Sequence, residues 1–223
     1  MKGQTIALKS ADGFEVSAYH VAAQGPRRGG LILIQEIFGV TDHIREVCDG
    51  WAAEGFETVA PSVYDRVEKG FAAGYDEMAR AVAAMNAISP DAALADVQPA
   101  VDLLKARGPV FIAGYCYGGS VAYVAACRIP TLAAAAGYYG RLIPNYLGET
   151  LRVPTILHFG DSDASIPFEA VRRIQAEQPQ VRTYIYRAGH GFCSDRPTHF
   201  NREACALARR RTLAHFARFG AGV

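Results

Sequence analysis

The chain has 223 residues, half of them apolar, and its 23 basic and 22 acidic side chains leave a net charge of +1. Because the two signs are spread along the chain, no electrostatic footprint for nucleic acid or an anionic membrane appears, and we expect a small molecule as the partner. No linker or low-complexity stretch divides the chain, and its length suits a single α/β domain, 1–223.

The hydrophobic pattern predicts an opening hairpin followed by alternating strands and helices. Strands are predicted where apolar residues run together or alternate, and helices where they recur every three to four residues. In chain order these are strands at 4–10, 14–21 and 31–35, a helix at 41–54, a strand at 56–61, helices at 75–88 and 89–108 (the second kinked at Pro99), a strand at 109–114, a helix at 117–127, strands at 132–139 and 155–159, a helix at 167–177, an edge-like strand at 181–186 and a helix over the C-terminal residues. Such alternation requires right-handed crossovers and a mainly parallel sheet covered on both sides. No stretch is left over for a large lid domain.

The five cysteines are odd in number and show no Cys-x-x-Cys spacing. This pattern predicts neither a disulfide framework nor a zinc site, and it favours a reducing compartment. No basic-then-apolar leader is visible, and internal glycines split the uncharged stretch 108–127 into a strand and a helix, so neither a signal peptide nor a membrane span is predicted. We therefore expect a cytoplasmic protein. The sequence does not fix its oligomeric state, and a monomer would fit.

The segment "GYCYGGS", residues 114–120, lies between a predicted strand and a predicted helix. A sharp strand-to-helix turn strains the backbone of its central residue and requires small neighbours, and Gly114, Gly118 and Gly119 meet this requirement around Cys116. The thiol would also lie at a helix N-terminus, whose partial positive charge favours a thiolate. Cys116 is therefore a candidate nucleophile. The alternative is a buried cysteine beside a close-packed glycine turn.

Two later loops offer partners for this thiol. The segment "GDSDASIP" holds Asp161 and Asp163, and its Asp-x-x-Ile-Pro pattern favours Asp163 as a triad acid, with Asp161 as a turn-forming residue. His190 lies in a glycine-flanked loop after the last strand, which gives the chain order nucleophile, acid, histidine. Its alternative is a loop histidine without a catalytic role. No metal-binding or phosphate-loop motif competes with this arrangement.

Six segments, three of them described above, occur in a family's order and approximate spacing: "QEIFGV" at 35–40, "PSVYDR" at 61–66, "GYCYGG" at 114–119, "GYYG" at 137–140, "GDSDASIP" at 160–167 and "AGHGF" at 188–192. With these segments the sequence resembles the dienelactone hydrolase (carboxymethylenebutenolidase) family of the α/β-hydrolase fold over nearly its whole length.

The resemblance implies a role for each matching residue. Cys116 would be the nucleophile, His190 the general base and Asp163 the residue that orients it. Glu36 would be an additional carboxylate beside the thiol, although a glutamate paired with a nearby arginine is the alternative. The backbone N–H groups of Ile37 and Tyr117 would form the oxyanion hole.

The implied reaction is hydrolysis of an ester or an enol lactone through a covalent thioester, without a metal or organic cofactor. Dienelactone hydrolases that act on carboxylate-bearing lactones place an arginine four residues after the histidine, where this chain has Ser194. Arg196 and Arg80 are the remaining candidates for binding an anionic substrate, and each is otherwise a solvated surface charge.

Two other functions stay open at this point. The same triad would serve a general carboxylesterase or thioesterase. A protein of another class would use Cys116 as a reversibly oxidised, non-catalytic residue, with Cys193 as its partner.

Overall fold

The computed structural model describes residues 2–222, and these residues contain eight strands and six α-helices. The elements are β1 (Gln4–Lys9), β2 (Glu15–Val21), β3 (Gly29–Ile34), α1 (Asp42–Ala53), β4 (Phe56–Pro61), α2 (Met78–Ala87), α3 (Pro90–Lys105), β5 (Val110–Tyr115), α4 (Tyr117–Arg128), β6 (Ala134–Tyr138), a short 3₁₀ helix (Ile143–Tyr146), β7 (Thr155–Gly160), α5 (Phe168–Glu177), β8 (Arg182–Tyr186) and α6 (Arg202–Arg218).

The strands form one sheet in the order β1-β2-β4-β3-β5-β6-β7-β8. The pairings of β1 with β2 and of β2 with β4 are antiparallel, whereas every pairing from β4 to β8 is parallel. The predicted opening hairpin therefore extends a parallel sheet, and β8 lies at its edge as its alternating pattern indicated. The expected mainly parallel α/β architecture is confirmed.

The sheet separates two apolar cores. Successive residues of β3 belong to different cores: Leu31 packs with Trp51 and Phe216, while Ile32 packs with Val97. Alternate side chains of a strand point to opposite faces, so both faces of the sheet are covered. This explains why every residue of β3, β4, β5, β6 and β7 is buried, and why β3 and β5 read as continuous apolar runs.

Local hydrogen bonds fix the starts of two helices, one of which begins later than predicted. Helix α2 begins at Met78, three residues later than expected, because a turn precedes it in which the Gly74 amide donates to the Glu77 carboxylate at 2.7 Å. Helix α3 begins with the expected Ser89 cap, whose hydroxyl accepts from the Ala92 amide, and it stays helical through Pro99.

The structure contains a disulfide between Cys193 and Cys205, which the cysteine pattern did not predict. The chain after His190 turns back onto the start of α6, where the Asn201 amide donates to the Phe192 carbonyl at 3.0 Å. The expectation of no disulfide was therefore wrong for this pair, because two cysteines 12 positions apart carry no local motif.

Because this disulfide is present, the cysteine pattern no longer supports a reducing compartment. The cytoplasmic location stays a prediction. Of the helices within residues 2–222, none has both the length and the apolar character needed to span a membrane.

Candidate active site

Cys116 lies on a strained turn between β5 and α4. Its backbone has φ 55° and ψ −114°, a conformation that costs a residue other than glycine on the order of 1–3 kcal/mol. Two backbone hydrogen bonds hold this turn: the Cys116 amide donates to Tyr138 O at 3.0 Å, and the Gly119 amide donates to Cys116 O at 3.0 Å. The strain persists because the neighbouring strand and the start of α4 fix both sides of the residue.

The glycines around Cys116 are required by close backbone approach. A Cβ at Gly114 would lie 1.9 Å from Gly118 O, and one at Gly119 would lie 2.3 Å from Tyr138 O. A Cβ at Gly118 would lie 2.4 Å from Ile34 O at the end of β3. These positions bring α4 against two parallel strands, so the glycines stabilise a rigid turn and do not make it flexible.

His190 connects Cys116 to Asp163. Its Nε2 lies 3.2 Å from Cys116 Sγ, and its Nδ1 lies 2.8 Å from Asp163 Oδ2. The other carboxylate oxygen of Asp163 accepts the backbone amides of Ser165 at 2.7 Å and Ile166 at 3.0 Å. With its side chain only 1% exposed, Asp163 has a fixed orientation.

Asp161, expected to bond nearby backbone in a turn, instead bonds across to a second loop. Its Oδ1 accepts the Ser162 hydroxyl at 2.7 Å and the Ala188 amide at 3.3 Å. These bonds join the loop after β7 to the loop that carries His190, so Asp161 acts on the geometry of both.

Burial alone would lower the pKa of His190, but hydrogen bonds with Asp163 and Cys116, together with the charges of both groups, raise it to about 10. The imidazolium is therefore the favoured form at neutral pH. Both ring nitrogens then carry protons and can donate, Nδ1 to the carboxylate and Nε2 to the sulfur.

Glu36 follows β3 and is 5% exposed. Burial raises the pKa of its carboxyl group to about 7, against the opposing effects of His190, Tyr139 and Arg196. Its hydrogen-bond partner is the Tyr139 hydroxyl, 3.5 Å from Oε1. Within residues 2–222 no arginine forms an ion pair with Glu36 at 4.0 Å or less, so the alternative of a glutamate paired with an arginine is not what the structure shows.

Ile37 and Tyr117, the two predicted oxyanion-hole residues, both line the same cavity as Cys116. Ile37 follows β3, and Tyr117 is the first residue of α4. Across the described part of the chain, neither amide donates a hydrogen bond to another protein group, as expected for Tyr117 at a helix N-terminus.

The cavity that contains these groups has a volume of about 240 Å³. Its wall combines predicted site residues, among them Cys116 and His190 but not Asp163, with an apolar side formed by Phe38, Met78, Val82, Met85 and Leu142. Ser194 and Arg196 both line it. The buried Ser194 hydroxyl has no hydrogen-bond partner within residues 2–222, and the Arg196 guanidinium lies 4.4 Å from the ring centroid of Tyr75.

Arg80 is not brought to this cavity. Its guanidinium binds both oxygens of Glu68, at 2.8 and 3.0 Å, and Glu77 at 3.0 Å, and it stacks on Phe71. With two carboxylates on the surface already bound, Arg80 has the solvated structural role that was its alternative. We do not assign it to substrate binding.

Sequence reasoning missed Tyr139 and Arg141. Besides bonding Glu36, Tyr139 contacts His190 edge-on, with ring centroids 5.2 Å apart. The motif "GYYG" was a usable signal, but it gives no reason to separate Tyr139 from Tyr138, which is part of β6. Arg141 lines the cavity, and nothing in the sequence distinguishes it from a surface arginine.

A mainly parallel sheet that presents a strained cysteine turn at the carboxyl end of β5, opposite a histidine and an acid from later loops, has the architecture of an α/β-hydrolase. The chain belongs to the dienelactone hydrolase family, whose model matches residues 16–220. It is therefore an enzyme of the hydrolase class, of the dienelactone hydrolase type.

The names of relatives in bacteria agree with this assignment. A protein named "Putative carboxymethylenebutenolidase" from Synechocystis sp. is 32% identical over 210 residues, which cover 83% of this chain and 84% of that protein. A protein of the same name from Azospirillum brasilense is 30% identical over 224 residues, covering 95% and 96%.

Solved structures share the fold. The "Putative Dienelactone Hydrolase" from Klebsiella pneumoniae superposes with a TM-score of 0.83 at 26% identity, over 97% of this chain and all of that one. A dienelactone hydrolase-like promiscuous phosphotriesterase from metagenomic libraries superposes at 0.79 with 18% identity, over 98% of this chain and 99% of that one, and this likeness concerns the fold alone.

Proposed function

We propose that the protein hydrolyses a carboxylic ester or lactone through Cys116, His190 and Asp163, with a covalent thioester intermediate. The observation that supports this most is the continuous line of contacts from Sγ to Nε2 at 3.2 Å and from Nδ1 to Oδ2 at 2.8 Å. A nucleophile within reach of a base that a third group orients is the arrangement required for acyl transfer.

The first half of the reaction forms the thioester. The Cys116 thiolate attacks the carbonyl carbon, a C–S bond forms, and the π electron pair moves to the carbonyl oxygen. The N–H groups of Ile37 and Tyr117 would hold this oxyanion, and such a donor contributes about 2.7–4 kcal/mol in comparable sites. As the C–O bond breaks, the His190 imidazolium gives its Nε2 proton to the leaving oxygen.

The second half returns the enzyme to its starting state. Neutral His190 takes a proton from water, whose oxygen attacks the thioester carbon. The C–S bond then breaks, the sulfur leaves as thiolate, and the acid is released. Asp163 keeps Nδ1 protonated throughout, so that Nε2 is the atom that exchanges the proton.

The nucleophile also selects among leaving groups. A thiolate leaves more readily than an alkoxide, so an adduct with an ordinary alkyl ester collapses back to substrate. Enol lactones and aryl esters release a stabilised oxygen anion and suit this site better. Arg196 and Ser194 provide a cation and an unpaired hydroxyl in the cavity wall, and we infer that they bind a polar or anionic group of the substrate.

A general carboxylesterase or thioesterase is the second candidate. The apolar side of the cavity, formed by residues such as Met78, Val82 and Met85, favours a neutral acyl group over a small anionic lactone. The redox alternative is weaker, because Cys193 is bonded to Cys205 and is not free to pair with Cys116.

The test is a substrate panel of p-nitrophenyl acetate, an aryl thioester, a neutral enol lactone and a carboxylate-bearing dienelactone. We expect Cys116→Ala and treatment with iodoacetamide to lower kcat/KM by at least about 10³-fold. Cys127→Ala is the matched control, since Cys127 is a free, buried cysteine of the following helix, and it should retain activity.

Hydrolysis that survives the loss of Cys116 would refute the proposed nucleophile. Activity on neutral esters and thioesters, with none on the carboxylate-bearing lactone, would favour the second candidate.

A further inference from the structure

A second cavity, of about 370 Å³, lies beside the active-site cavity. It is bounded by the end of α2, the start of α3 and one side of α4. The two cavities share a wall of five residues: Met85, Tyr117, Ser120, Arg141 and Leu142. A ligand that extends past this wall would occupy both spaces.

The lining of the second cavity is mainly apolar. Its own side chains include Ile88, Leu94, Val121, Val124 and Tyr146. Two of its polar groups are already bonded within the protein: the Ser89 hydroxyl accepts from the Ala92 amide, and the Ser120 hydroxyl accepts from the Leu142 amide at 3.0 Å. They demand no polar group from a ligand, so the lining suits a hydrocarbon chain or an aryl ring.

Arg141 is the one charged residue among the described residues that line the second cavity. It is exposed at the shared wall, where its aliphatic stem can cover an apolar chain while its guanidinium stays in water.

The volumes are consistent with a divided substrate site. Small-molecule sites usually measure roughly 300–1,000 Å³. The active-site cavity alone, at about 240 Å³, falls below this range. Only together with the second cavity does the site reach the size that a substrate larger than a small lactone needs.

The position of His190 decides which part of the substrate enters the second cavity. The leaving oxygen must lie at Nε2 to receive its proton, and His190 lines the active-site cavity but not the second one. Tyr117, whose amide faces the oxyanion in the proposed mechanism, lines both. The part that points past Tyr117 and away from His190 is the acyl part, which stays on Cys116.

We propose that the second cavity is an acyl subsite, which takes the apolar chain of esters with medium-length or aryl acyl groups. The inference rests on the proposed hydrolase function and specifies its substrate class. It assigns selectivity for the acyl chain to α2, α3 and α4, and not to the loop that carries Ser194 and Arg196.

The experiment fills the second cavity without touching the first. Asn86 is exposed and lines only the second cavity, and Ala87, its exposed neighbour on α2, lines neither. Asn86→Trp and the matched control Ala87→Trp are compared on p-nitrophenyl acetate and p-nitrophenyl octanoate. We expect Asn86→Trp to lower kcat/KM for octanoate about tenfold or more relative to the control, with acetate hydrolysis changed by less than about twofold.

Acetate hydrolysis also reports that the variants are folded. Equal octanoate rates in the two variants would overturn the acyl subsite. An ester with its chain on the alcohol side, 4-octylphenyl acetate, should be insensitive to Asn86→Trp; a selective loss there would place the leaving group in the second cavity and overturn the assignment. An unmodified protein that hydrolyses the lactones of the panel above but neither acetate nor octanoate would overturn the acyl subsite alone. One that hydrolyses none of these substrates would refute the proposed function itself.

Discussion

Two nearly buried glutamates, Glu36 and Glu57, have pKa values shifted in opposite directions. Glu36 has one weak hydrogen bond, from Tyr139, and burial raises its pKa to about 7. Burial would also raise the pKa of Glu57, but hydrogen bonds with Arg27 and His20 outweigh it, and the pKa is lowered. Only Glu57 sits in an environment built for a charge; the environment of Glu36 favours the neutral acid.

The pKa of Glu36 predicts a pH-dependent effect on stability. Between about pH 4.5 and pH 7 the folded protein holds a proton that the unfolded chain has lost, so the contribution of Glu36 to stability falls as the pH rises through this window. Glu36→Gln mimics the neutral form. At about pH 8 it should raise the free energy of unfolding by on the order of 3 kcal/mol, and at about pH 5 by much less. Urea denaturation at both pH values measures the difference.

Glu57→Gln is the control of opposite sign. Its lowered pKa means that its ion pairs stabilise the folded state above the unfolded pKa and lose this effect as the pH falls, so the variant should be less stable than the native chain at about pH 8. A Glu36→Gln variant that is destabilised at about pH 8 would show that Glu36 is held there as a favourable charge.

The residues of the proposed triad could be singled out in the sequence because each carries a local signal. Cys116 is marked by glycines whose absence would cause backbone collisions, and Asp163 and His190 are marked by short loop patterns in a fixed order. The roles of Arg80 and Arg196 could not be separated this way. Which arginine faces the cavity depends on nearby carboxylates, and Arg80 is held by Glu68 and Glu77.

Among the elements, the loop after β8 contributes most to the site, because it supplies His190, Ser194 and Arg196. Its later part is attached to α6 through the Cys193–Cys205 disulfide and the Asn201–Phe192 backbone bond. The sequence predicted the helix but not this attachment, since pairing distant cysteines requires knowing how the loop folds back. The late start of α2 has a similar cause, a turn closed by Glu77.

The disulfide predicts a measurable loss of stability on removal. Closing a short loop of 12 positions is expected to contribute about 3 kcal/mol, chiefly by restricting the unfolded chain. Cys205→Ser should therefore lower the free energy of unfolding by about this amount in urea without reductant.

Reductant provides the control for this variant. It should lower the stability of the native chain to the level of Cys205→Ser and leave the variant unchanged. Equal stability of the two proteins without reductant would mean that the disulfide does not form or does not stabilise the fold.

For the whole molecule, the sequence predicted the class of fold but not the order of the strands in the sheet. The uncharged, mainly apolar runs that became β3, β5 and β7 indicated buried central strands, and the helices between them required crossovers. The neighbours of each strand, such as the placement of β2 beside β4, depend on long-range packing that periodicity does not encode. The existence of a single domain over 1–223 stays a prediction.

The same long-range packing determines which residues line the second cavity. The second cavity lies where α2, α3 and α4 meet. In the sequence, each of its residues has the pattern of an ordinary core or surface residue. No local pattern separates Leu94 or Val124 from the rest of their helices. The proposed triad therefore has local signals in the sequence, whereas the lining of the second cavity has none.

The central claim is that acyl groups pass through the sulfur of Cys116. It is tested most directly by mixing the protein with p-nitrophenyl acetate, quenching with acid within the first turnover, and mapping the peptides by mass spectrometry. We expect a burst of p-nitrophenol that matches the enzyme concentration, together with one acetyl group on the peptide that contains Cys116. Steady hydrolysis with no burst and no acetyl group on that peptide would contradict the claim.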